Sequence, residues 1–101
     1  MTRDQKRGML ASIRRAILER PGALRADVRR AACEGSPVPD AIDHLVRMIR
    51  DAAHLVTDTE IEDARRAGYD DDQLFELTIA TALGESCKRF DLVLRALGRA
   101  R

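Results

Sequence analysis

The stretch from Asp70 to Leu97 contains no proline and a single glycine, Gly84. Within it Phe75, Ile79, Leu83, Phe90, Val93 and Leu97 recur at three-, four- and seven-residue steps, the spacing of one face of an α-helix. Leu74, Leu77, Ala80 and Ala82 carry apolar surface around the first half. A helix apolar nearly all round has to be covered on most sides. At about 1.5 Å per residue it runs roughly 40 Å, longer than a domain of this size is wide. The expectation is a central helix that packs through Phe75, Ile79, Leu83 and Phe90 and reaches a second subunit.

The preceding chain reads as shorter helices divided by turn signals. Asp4 to Glu19 has Met9, Ile13, Ala16 and Ile17 on one face, and Arg20-Pro21-Gly22 stops it. A short helix from Ala23 or Leu24 to Glu34 turns Leu24, Val28 and Ala31 or Ala32 inward, and Gly35 ends it. Ser36-Pro37-Val38-Pro39 is a stiff link. Asp40 to Val56 is strongly amphipathic through Ile42, Leu45, Val46, Ile49, Ala52, Ala53 and Val56. Thr57 with Glu60, and Asp70 with Gln73, match capping boxes that open two more helices. Ile61, Ala64 and Ala67 are the inward points of the first of these, and Gly68 closes it. The tail from Gly98 to Arg101 is expected to fray. The whole is an all-α single domain over 1–101 of about five helices, with 1–39 as N-terminal helices and 40–97 as the core.

Charge is distributed unevenly. The formal net charge is +1, yet residues 1–33 carry +6, residues 34–76 carry −8 and residues 77–101 carry +3. Opposite-sign faces meeting within the fold or across a self-interface account for this more simply than a nucleic-acid patch. Leu24 to Ile49 could be bent into a helix-turn-helix. The proline link is too stiff for that turn, however, and the would-be recognition helix carries Asp40, Asp43 and Asp51. No apolar run approaches the length of a membrane span, and the first residues lack the apolar stretch of a secretory leader. Two widely spaced cysteines, Cys33 and Cys87, are expected as free thiols in a reducing cytoplasm.

Few residues suggest chemistry. Asp70-Asp71-Asp72 lacks the spacing of a calcium loop and suits a helix N-terminus. His44 and His54 are ten residues apart on one expected helix, about 15 Å, so they cannot share a metal. Cys33 beside Glu34 at a helix end is expected to be unreactive, whereas Lys88 and Arg89 would favour a Cys87 thiolate. Glu76 lies in the most apolar section of the long helix and Glu85 nine residues on. Gly84 inside that helix costs about 1 kcal/mol relative to Ala, which suggests a close helix contact.

Thr57-Asp58 opening a helix, the turn Ala67-Gly68-Tyr69-Asp70, Gln73-Leu74-Phe75-Glu76-Leu77-Thr78 and Ala82-Leu83-Gly84 resemble the carboxymuconolactone decarboxylase family. That family shares the all-helical fold of alkyl hydroperoxidase D-like proteins. The likeness takes in the helix from Asp40 and covers about 40–97. It implies a helical domain that assembles into oligomers through long helices. Peroxidase members of the family carry a Glu, a Cys-x-x-Cys pair and a His close behind. Here there is no Cys-x-x-Cys. Matching Glu76 to the family glutamate puts Lys88 and Asp91 in the thiol places and Arg95 near the His place, while matching Cys87 to the first thiol puts Phe90 and Leu94 in the others.

The resulting expectation is an oligomeric, non-catalytic binding or assembly protein with no cofactor or metal. A small apolar ligand would lie between helices near Phe75, Ile79 and Phe90. One alternative is a thiol-dependent peroxidase or reductase using Cys87, with Glu76 or Glu85 nearby. A nucleic-acid-binding helical protein is the other.

Overall fold

The structure, a computed structural model, describes residues 2–99. Among these are five α-helices: α1 (Arg3–Glu19), α2 (Ala26–Glu34), α3 (Asp40–Ala52), α4 (Asp58–Arg66) and α5 (Asp71–Arg99). The all-α expectation therefore holds, with the long helix last. Of the tail expected to fray, Gly98 and Arg99 continue α5, and the remaining two residues lie outside the described range.

Local chemistry accounts for most of the helix ends. Thr2 and Gln5 form a capping box on α1, with the Gln5 N–H donating to Thr2 Oγ1 at 3.1 Å. Gly35 adopts φ +77°, and the Ser36 N–H returns to the Ala31 carbonyl at 2.9 Å, closing α2. Thr57 and Glu60 cap α4 reciprocally, and hydrogen bonding from Thr57 holds the Glu60 carboxyl below its ordinary range. At α5 the Gln73 N–H donates to Asp70 Oδ1 at 2.8 Å and the Asp70 N–H to Gln73 Oε1 at 2.9 Å. Both capping boxes read from the sequence are present. The helix expected to run to Val56 instead breaks at Ala52 into a 3₁₀ turn, Ala53–Leu55. This change of pitch turns Val56 onto the core and leaves Leu55 exposed.

The core lies where α2, α3 and α4 meet the first half of α5. Leu24, Ala32, Ile42, Val46, Ala64 and Leu77 are buried together, and Leu18, Cys33 and Ala80 form an adjoining cluster beneath α1. The face that α5 buries is not the one its large side chains mark. Leu74, Leu77, Ala80, Thr81, Gly84 and Leu94 point inward, whereas Phe75 is 67% exposed and Ile79, Val93 and Leu97 are also exposed. Met9 and Ile13 of α1 are likewise exposed, against expectation. Close approach by α2 sets the rotation. A Cβ on Gly84 would fall 2.0 Å from the Cys33 carbonyl oxygen, so the small-residue side of α5 is the one α2 can reach. Hence the suspected helix contact at Gly84 is real, and the bulky stripe faces away.

The radius of gyration is 15.1 Å, against about 13 Å for a compact chain of this length. The second half of α5 runs beyond α3 and α4, with α1 packed antiparallel beside it. The antiparallel sense follows from two shared clefts, one pairing Arg7 with Arg95 and the other pairing Ile17 and Pro21 with Phe75 and Ile79.

Candidate functional site

The loop from Arg20 to Arg25 is held from both sides by charged groups. Helix α2 starts with no side-chain cap of its own. The loop leading into it is held by Glu76 of α5: Oε1 accepts from the Ala23 N–H at 3.1 Å and Oε2 from the Leu24 N–H at 2.7 Å. A Cβ at Gly22 would lie 2.0 Å from Glu76 Oε1, so the carboxylate occupies the space a side chain would need.

Arg29, 4% exposed, holds the carbonyls of the same loop. Its Nε donates to Leu24 O at 3.0 Å, Nη1 to Ile17 O at 2.5 Å and Nη2 to Arg20 O at 2.7 Å. Ile17 and Arg20 lie at the C-terminal end of α1, where the helix dipole is negative and no basic residue of α1 itself occupies the last turn. A buried cation is thus compensated by oriented carbonyls rather than by a carboxylate. Arg29 was not singled out in the sequence.

Glu85 is occupied differently. It lies 3.7 Å from Arg50 Nε of α3 and 3.4 Å from Lys88 Nζ. Arg50 also donates to the Ala32 carbonyl at 3.3 Å, which ties α3, α2 and α5 together. Cys87 faces α1. Burial pushes its thiol above the ordinary range and proximity to Cys33 adds to this, while the Arg14 charge opposes it. Lys88 and Arg89 were expected to favour the thiolate, but desolvation outweighs every charge acting on the thiol. Glu76, Glu85 and Cys87 therefore point to three different neighbours and form no common centre.

His44 and His54 are both exposed. No group of three metal-ligating side chains is found among the described residues, and no helix there is long and apolar enough to cross a membrane.

Besides one of about 340 Å³ beside Arg30 and Glu34, two concavities flank α1. The larger, about 490 Å³, lies between the first half of α1 and the second half of α5, with Leu10, Cys87 and Phe90 beneath Arg7, Arg14 and Arg95. The smaller, about 300 Å³, is bounded by Ile17, Pro21, Phe75 and Ile79 over the Glu76 and Arg29 loop contacts. The pocket expected around Phe75, Ile79 and Phe90 is thus divided, since Phe90 belongs to the larger cleft. No known family, curated protein or solved structure matches the chain.

Proposed function

We propose that the chain is a non-catalytic, self-associating helical protein of the carboxymuconolactone decarboxylase type, binding through its longest helix. The observation that carries this reading is the second apolar face of α5. Phe75, Val93 and Leu97 are 67%, 57% and 48% exposed. Burying a side chain of this size is worth about 1.5–3 kcal/mol, so several left in water on one helix face mark an interaction surface. From Ile79 the exposed apolar positions resume at Val93 and Leu97, with half-buried Leu83 and Phe90 and the polar Ser86 between them at alternating steps of four and three. Met9 and Ile13 of α1 are exposed as well.

A second copy of the chain suits this face. The N-terminal end of α5 gathers Asp70, Asp71 and Asp72, while its C-terminal end carries Arg89 and Arg99. Two copies related by a two-fold axis perpendicular to α5 would run these helices antiparallel, acidic end against basic end. The 300 Å³ groove at Phe75 and Ile79 is the place on this face for a small apolar ligand. Two free cysteines are in keeping with a reducing cytoplasm. The thiol-peroxidase alternative has less to rest on, because burial opposes the Cys87 thiolate and Glu76 is held by backbone donors.

Sedimentation equilibrium at micromolar concentration tests the reading. The expected result is a dimer or larger species that becomes monomeric in the double variant Ile79→Glu/Val93→Glu, whose positions are exposed and outside the core. A wild-type monomer at every concentration tried would overturn it.

A further inference from the structure

We propose that the 490 Å³ cleft between α1 and α5 binds a small amphipathic carboxylate, its anionic group among the arginines and its apolar body against Leu10 and Phe90. The cleft falls within the usual volume range of small-molecule sites. Three guanidinium groups, Arg7, Arg14 and Arg95, line it against one carboxylate, Asp91. Neither Arg7 nor Arg95 pairs with a carboxylate among the described residues. Arg14 reaches Glu34 at 3.6 Å through Nη2, and its guanidinium also lies against the Cys33 thiol. Guanidinium groups match carboxylate oxygens two at a time, and Leu10, Phe90 and the Cys87 thiol offer no charge to the remainder of a ligand. A wholly apolar molecule would leave the arginines unanswered, and an inorganic anion would leave the apolar floor uncovered.

The site goes beyond the binding role above and does not depend on self-association. Its test therefore uses both the wild-type protein and the Ile79→Glu/Val93→Glu double variant. Decanoate, decanamide and decyltrimethylammonium, each below its micellar concentration, are titrated by calorimetry. The expected result is saturable decanoate binding at least tenfold tighter than that of the other two, in both proteins. Arg7→Gln/Arg95→Gln, two exposed positions, is expected to weaken it by tenfold or more with the melting temperature unchanged. Decanoate should also slow alkylation of Cys87 by iodoacetamide, and decanamide should not. Equal affinity for the three probes, no saturable binding, or an unchanged affinity in the arginine variant would each overturn the proposal. Loss of binding in the Ile79→Glu/Val93→Glu protein alone would overturn the independence from assembly and place the ligand at the self-interface instead.

Discussion

Gly22 and Glu76 are fitted to each other: the Glu76 carboxylate stands where a Cβ on Gly22 would be, 2.0 Å from it, and from there accepts the next two backbone N–H groups. A long-range carboxylate thereby fixes the loop that leads into α2. Glu76→Ala is expected to cost about 1–3 kcal/mol, because the Leu24 donor is partly buried and loses its acceptor. Gly22→Ala should also destabilise, by forcing the carboxylate aside. The double variant should be more stable than the two single costs added together, since the methyl then enters vacated space. Urea unfolding of the four proteins measures the coupling, and strict additivity would contradict the fit.

Arg29 answers to the same loop from within. Its three carbonyl contacts need a planar fork, which a lysine ammonium cannot reproduce. Arg29→Met should lower stability by about 3 kcal/mol, leaving the carbonyls of Ile17, Arg20 and Leu24 without that donor. Arg29→Lys should recover less than half of the loss. Full recovery by lysine in the same unfolding assay would show that charge, rather than the fork, holds the loop.

Gly84→Ala weighs propensity against packing. The substitution favours the helix by about 1 kcal/mol. The methyl, however, would meet the backbone of Cys33 at 2.0 Å, and backbone cannot swing away. A net loss of about 1–3 kcal/mol is expected, seen as a lower melting temperature. Gly8 has nothing within 4 Å of a built Cβ, so Gly8→Ala should stabilise and serves as the control.

The Cys87 thiol is raised in the folded state. A group with a raised folded pKa contributes stability that is fully present below its unfolded pKa and is lost as pH rises through the folded value. Unfolding free energy should therefore decline with pH above the ordinary thiol range, and decline less in Cys87→Ala. Alkylation of native Cys87 at pH 8 should be slower than that of the unfolded chain. A native rate equal to or faster than the unfolded one would restore the activated thiol read from Lys88 and Arg89.

Much of this molecule was written locally. The Thr57–Glu60 and Asp70–Gln73 boxes, the glycine stop at Gly35 and the apolar periodicity of α3 each depend on residues within a turn or two of one another. Those elements can be read in order along the chain, and with them the all-α class and the long final helix. Interactions across long sequence separations left weaker marks. Periodicity showed that α5 has an apolar stripe at Phe75, Ile79 and Phe90, yet α5 carries two apolar faces, and nothing local says which one the domain covers. The fit of Gly84 to the Cys33 carbonyl decided it, by admitting α2 on the side of small residues and turning the large ones outward. Likewise Glu76 read as a candidate acid or base until Gly22 and Leu24, more than fifty positions away, came to lie against it. Composition and spacing determined which helices form. Only tertiary packing decided which faces they present, because that choice depends on how closely two backbones can approach.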